Sequence, residues 1–146
     1  MRRAAIIAIT LVSGLSVVQV AHGADPSDVQ RLLKTGKCER CNLVGADLHG
    51  ANLRDAELKD SNLEAANLKG ANLQNANFKR ANLRYANFKG AIIQDTDFSE
   101  ANLQGAMVEY QDLERGDAKV CNAIMPNGVK KSTNFEGFFG FGGCRN

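Results

Sequence analysis

Four cysteines carry most of the chemistry that this sequence offers: Cys38 and Cys41 form a Cys-x-x-Cys pair, and Cys121 and Cys144 lie far downstream. Such a pair serves haem attachment, metal ligation or thiol–disulfide chemistry. Covalent haem attachment needs a histidine directly after the second cysteine, and Asn42 stands there instead. Of the histidines, His22 belongs to an apolar leader and His49 is paired with no nearby cysteine. No set of nucleophile, base and orienting group can be assembled, and no glycine-rich phosphate loop precedes a helix. The sequence therefore predicts no enzyme, no catalytic residue, no cofactor and no metal. Cys38, Cys41, Cys121 and Cys144 remain as disulfide candidates.

The start of the chain suggests the compartment in which those thiols would sit. Arg2 and Arg3 precede an apolar stretch from Ala4 to Val20, followed by Ala21-His22-Gly23. This is the layout of a secretory signal peptide, shorter than the ~20 residues of a spanning helix. Cleavage after Gly23 would remove residues 1–23 and leave no stable membrane span. Lys plus Arg would fall from 18 to 16, equal to Asp plus Glu, so the mature chain is formally neutral. The precursor's basic balance is then no argument for nucleic acid. Export to a periplasm or the extracellular space, or to a thylakoid lumen in a photosynthetic source, favours disulfides.

Positioning these residues falls to a five-residue period, Ala-Asn-Leu-x-x, that runs from Cys41 to Arg115. Its central apolar residues are Leu43, Leu48, Leu53, Leu58, Leu63, Leu68, Leu73, Phe78, Leu83, Phe88, Ile93, Phe98, Leu103, Val108 and Leu113. Two positions earlier stands a small residue, as at Ala46, Ser61, Ala66 and Thr96. On an α-helix successive leucines would fall ~140° apart, and on a strand they would alternate between faces, so neither element builds a core from them. A chain that turns a corner in every repeat does, because each large residue and its small partner then point inward. The asparagines that precede most central residues, such as Asn52, Asn62, Asn72, Asn82 and Asn102, suit the corners: their amides bond turn backbone and tolerate unusual φ.

Ala-Asn-Leu-Gln-Asn at 71–75 and Ala-Asn-Leu-Arg-Tyr at 81–85 resemble the pentapeptide-repeat proteins. The resemblance implies an all-β solenoid: a right-handed quadrilateral β-helix with four repeats per coil and, here, about four coils. On that model Leu43, Leu63, Leu83 and Leu103 share one column, and the phenylalanines gather in the C-terminal half of the core. Cys41 and Cys121 would share another column, about 19 Å apart at ~4.8 Å per coil, too far for a bond. That separation favours pairing Cys38 with Cys41 and Cys121 with Cys144, and it excludes a four-cysteine zinc site within one chain. Thioredoxin-like pairs normally open a helix in a βαβ unit, whereas this one enters a solenoid.

The ends call for caps, since a solenoid otherwise exposes sheet edges. At residues 24–40, Ser27 and Gln30 are spaced as a capping box, Val29, Leu32 and Leu33 make one apolar face, and Gly36 is a stop. A short helix covering the first coil is expected there. Residues 41–115 form the β-helix, and 116–146 a Gly/Phe-rich C-terminal cap. Within the latter, Asn127-Gly128 suits a hairpin, and Cys121-Asn122 with Met125-Pro126 extend the resemblance to exported, cysteine-containing members of the family. Phe135, Phe138, Phe139 and Phe141 among glycines would plug the core, the alternative being an exposed contact surface.

The outer surface reads as binding rather than chemistry. His49, Lys69 and Lys89 form one column on the model, Lys59 and Lys79 another, and Asp60, Arg80 and Glu100 a ladder of alternating sign. The function that follows is a rigid structural or protein-binding module with an unidentified protein partner, homo-oligomerisation being left open. The alternative is a periplasmic thiol–disulfide redox protein using Cys38 and Cys41. Some members of the family resemble duplex DNA and inhibit topoisomerases through an acidic surface; this chain lacks that acidity, and no nucleic-acid partner is expected.

Overall fold

The computed structural model describes residues 23–114 and 118–131. The leader, the Phe-rich segment and Cys144 lie outside the described residues. The backbone forms a four-sided β-helix whose faces pair in parallel with the next coil, twenty residues on. One face runs Asn42, Asn62, Asn82 and Asn102; the others run through Asp47, Asn67, Asn87 and Met107, through Asn52, Asn72 and Ile92, and through Lys37, Glu57, Asn77 and Asp97.

The repeat around Leu63 shows why five residues suffice. Asn62 N donates to Cys41 O of one neighbouring coil at 2.8 Å, and Leu63 N donates to Asn82 O of the other at 2.8 Å. Ala65 N bonds Arg84 O at 2.8 Å, and Ala66 N closes the turn onto Leu63 O at 3.0 Å. The remaining amide, Glu64 N, donates to Asn62 Oδ1 at 3.2 Å. Every N–H thus has an acceptor, as buried backbone requires. The same side-chain acceptor serves Gln74 N through Asn72, Arg84 N through Asn82 and Ser99 N through Asp97.

The corners place their left-handed residue two positions after the central one, as at Asp55, Ala65, Tyr85 and Gly105, with φ between 57° and 72°. This is the φ signature of type II turns. The unusual φ expected at the asparagines therefore belongs elsewhere; asparagine contributes its amide oxygen.

Inside, the central residues from Leu43 to Phe88, with Ile93, Phe98, Leu103 and Leu113, are buried together with most of the small residues, and Val108 is partly buried. Phe78 and Phe98 stack with ring centroids 5.5 Å apart, and Phe88 meets Phe98 edge-on at 5.8 Å. The two buried hydroxyls are bonded: Thr96 Oγ1 donates to Leu73 O at 2.8 Å, and Ser61 Oγ to Cys38 O.

Helix α1 spans Pro26–Thr35 and ends at Gly36 in the left-handed region, whose N–H reaches Leu32 O at 2.8 Å. Its N-cap is Asp25, which accepts from Ser27 N at 2.8 Å, so the capping-box reading of Ser27 and Gln30 is corrected. Pro26 takes the first helical position, where a missing N–H costs nothing. Val29 and Leu32 are buried in the core, while Leu33 is 43% exposed and does not share their face. The first turn also occupies the place of a missing coil. Asp25 N donates to Asn42 O at 2.8 Å, and Asn42 N donates to Asp28 Oδ2 at 2.8 Å.

At the other end the register changes. Helix α2, Tyr110–Glu114, interrupts the ladder, and beyond it Asp97 pairs with Lys119 and Asn102 with Ile124, two residues further than elsewhere. The backbone ladder continues past residue 115, where the cap was expected to begin, with Val120, Ala123 and Met125 buried. Cys121 O accepts from Glu100 N at 2.7 Å, so Cys121 follows the column of Ser99 rather than that of Cys41. The two residues added around α2 cause this shift, and the expected Cys41–Cys121 column is withdrawn. The chain then doubles back: Ile124 pairs antiparallel with Lys130 around Asn127-Gly128, and Lys131 N donates to Ala123 O at 2.8 Å.

Asn72→Ala leaves Gln74 N without its acceptor and should lower stability by about 1 kcal/mol. Ile92, half exposed in the same column, has no such oxygen, and Ile92→Asn should raise stability. Chemical denaturation of both variants checks the pair; equal stabilities would contradict this role for the asparagines.

Candidate functional site

Where α1 meets the first turn, charged and sulfur-bearing side chains converge. Cys38 and Cys41 are joined by a disulfide with Cα atoms 5.4 Å apart, and both are buried. Arg31, one turn after the helix start and about half exposed, directs Nη2 at Cys41 Sγ, 2.8 Å away, with Cys38 Sγ at 3.9 Å. The same nitrogen meets Asp28 Oδ1 at 2.6 Å. Helical spacing explains the convergence, because Asp28 and Arg31, three residues apart, share a side of α1.

The turn from Cys38 to Cys41 follows the pattern of the later corners, with Arg40 at φ 56°. Its closure differs. In the other corners an amide bonds the carbonyl three residues back, whereas here the Ser61 hydroxyl sits between, accepting from Cys41 N at 3.1 Å and donating to Cys38 O. Ser61 occupies a position that is alanine in the next two coils, at Ala81 and Ala101. Its polarity in that alanine column was the sequence signal for a special environment above it, and sequence reasoning missed it, as it missed Arg31 and Asp28.

Asp28, Cys38 and Cys41 each bring a ligand-type atom within 4.8 Å of the others. With the sulfurs bonded to each other, only the carboxylate remains as an ordinary metal ligand. Cys121 is also disulfide-bonded, and Cys144 lies outside the described residues.

On the outer surface the expected ladder of alternating charge is a direct contact between Asp60 and Arg80, while Glu100 pairs with Lys79 of the adjacent column. Arg80 Nε and Nη2 meet Asp60 Oδ1 and Oδ2 at 2.7 and 2.9 Å, and Lys79 reaches Glu100 at 3.3 Å. The Arg80 hydrogen bond holds the Asp60 carboxyl below its ordinary range. His49 Nδ1 lies 2.7 Å from Lys69 O, so its ring engages the neighbouring coil's backbone, and its side chain, like Lys69 and Lys89, is exposed. Gly50 and Gly90, beside this column, have nothing near a notional Cβ, and at Gly70 only the His49 ring comes within 4 Å.

The model of the pentapeptide repeat region matches residues 33–108, and the chain belongs to the pentapeptide-repeat family. No curated protein matches. Among solved structures, it is similar to HetL, a pentapeptide repeat protein involved in heterocyst differentiation regulation in the cyanobacterium Nostoc, at 32% identity and a TM-score of 0.47. That match covers 65% of this chain and 43% of HetL, so the chain spans less than half of its relative. A pentapeptide repeat protein of the Arabidopsis thaliana thylakoid lumen is 21% identical, with a TM-score of 0.36 and 64% of each chain covered. QnrB1, a plasmid-mediated fluoroquinolone resistance protein, is 17% identical with a TM-score of 0.36, the match covering 65% of this chain and 56% of QnrB1. Among the described residues, no helix is long and apolar enough to cross a membrane.

Ser61→Ala restores the small apolar residue of its column but removes both bonds to the Cys38–Cys41 turn. It should destabilise the chain by about 1–3 kcal/mol, the cost of leaving buried polar groups unpaired. Ala81→Ser, with no such turn above it, should give no compensating gain, and thermal melts of the two variants check the contrast.

Proposed function

We propose that this chain is an exported, non-enzymatic module, a right-handed solenoid that presents a rigid surface to a protein partner. The observation that carries the reading is the amide ladder. Since backbone donors and acceptors are used within the coils, the outward side chains stand in fixed columns, which suits display rather than reaction. Export rests on Arg2 and Arg3, the apolar stretch from Ala4 to Val20 and the small residues Ala21 and Gly23. It points to a periplasm or the extracellular space, or to a thylakoid lumen in a photosynthetic source. The domain plan is a leader over 1–23, an N-terminal cap over 24–40, the repeat body, and a C-terminal cap.

The contact surface we assign is the corner of His49, Lys69 and Lys89. Arg80 pairs with Asp60 and Lys79 with Glu100, whereas Lys69 and Lys89 project beside bare glycine backbone. Such an edge fits a partner with an acidic face. The test is capture from an envelope extract with the mature chain and with a Lys69→Glu, Lys89→Glu double variant. A protein retained by the wild type should be lost with the double variant at unchanged melting temperature. Equal retention would refute the surface, and no specifically retained protein would refute the binding module.

A further inference from the structure

A structural disulfide needs no cation, yet this one has a guanidinium nitrogen 2.8 Å from one sulfur. We propose that the Cys38–Cys41 bridge is a reversible thiol–disulfide centre for dithiols, in which Arg31 acts as a positioning residue for Cys41. The proposal adds a second property to the scaffold and does not rest on the assignment of its binding surface.

Three observations carry it. A disulfide sulfur is neutral and a weak acceptor, whereas a thiolate is a full charge, so a cation held against Cys41 favours the reduced pair over the bridge. The Asp28 carboxylate, 2.6 Å from the same nitrogen and within 4.8 Å of both sulfurs, offsets part of that charge, and the closer approach of Arg31 to Cys41 is what distinguishes the two sulfurs. Arg31 lies closer to Cys41 than to Cys38, at 2.8 against 3.9 Å, which makes the two sulfurs unequal. The turn, finally, is fastened without the bridge. Cys38 N donates to Glu57 O at 2.7 Å, Arg40 N to Lys59 O at 2.9 Å, and the Ser61 hydroxyl links Cys38 O to Cys41 N. The bridge spans a sequence separation of only three residues, so opening it releases little chain entropy. The first coil therefore keeps its shape in both states, as reversible exchange requires.

The asymmetry sets the course of reaction. One thiolate of the incoming dithiol attacks Cys38 Sγ, the Sγ–Sγ bond breaks, and its electron pair leaves on Cys41, facing Arg31. The better-stabilised thiolate is the better leaving group. The second thiolate of the reductant then attacks its own sulfur in the mixed disulfide and releases Cys38, which takes up a proton. Two electrons pass to the cysteines, the dithiol becomes a disulfide, and its second proton goes to solvent. Both sulfurs are buried beside half-exposed Arg31.

The test equilibrates the full mature chain in dithiothreitol redox buffers, traps thiols by alkylation and reads the Cys38–Cys41 peptide by mass. Arg31→Met should move the equilibrium about tenfold toward the disulfide, ~30 mV for a two-electron couple, and Arg31→Lys should recover part of the shift. In the reduced wild type, Cys41 should alkylate with a pH midpoint below that of Cys38 and below the ordinary ~8.5 of a free thiol. Circular dichroism should be the same for the oxidised and reduced protein. Equal equilibrium constants for wild type and Arg31→Met, a Cys41 midpoint at or above that of Cys38, or loss of the β spectrum on reduction would each overturn the proposal. The last two readings use the wild type alone and hold even if a variant fails to fold.

Discussion

Each repeat has five backbone N–H groups to satisfy, and the structure depends on where their acceptors lie. Around Leu63, three amides reach neighbouring coils, one closes the corner, and one takes the asparagine side chain. Removing any acceptor leaves a donor facing the core wall, at about the cost of a lost buried hydrogen bond. This explains why the asparagine position is the most regular polar position of the repeat although it does no chemistry. It also explains the regular step between coils, because three amides of the Leu63 repeat find carbonyls only when its neighbours lie one full turn away on each side.

The same requirement shapes the ends. A first coil has no coil before it, and the opening turn of α1 takes that role, with Asp25 N and the Asp28 carboxylate serving both backbone groups of Asn42. At the far end the antiparallel return from Met125 to Lys131 pairs an edge with its own chain, one of the ways natural sheets avoid open edges. Asp28 connects fold and site. One oxygen anchors the first coil and the other holds Arg31, whose nitrogen also lies against Cys41. Thus the contact that stabilises the cap also positions the cation beside the disulfide.

Much of this was legible in residue order. Leucines recurring in fives are incompatible with a helix or a flat strand, and the Asn127-Gly128 hairpin and the Gly36 stop follow from local turn chemistry. Other features were hidden for physical reasons. The left-handed corner position carries Ala65, Arg80 and Tyr85 besides the glycine, Asp55 and Asn75 that suit it, so composition marks it only in part. Leu113 keeps the five-residue phase, and the two added residues show afterwards, where Ala118-Lys119-Val120 and Ala123-Ile124-Met125 resume the small-x-apolar pattern two places late and Cys121 leaves the Cys41 column. Arg31 and Asp28 were not singled out, since a helix expected over the first coil does not by its sequence tell which of its charges faces the Cys38–Cys41 turn.

The central claim is that the coil, and not the single repeat, is the structural unit, because only a whole coil returns each amide to its acceptor. Its most direct test is excision. Removing Asn62–Ala81 deletes one complete turn and joins Ser61 to Asn82 in register, whereas removing Asn62–Ala66 deletes a single repeat, keeps the five-residue phase and moves every later column by one face. Thermal unfolding followed by circular dichroism should show the first variant folded, with a cooperative transition below that of the intact chain, and the second without one. Equal behaviour of the two excisions, folded or unfolded, would contradict the account.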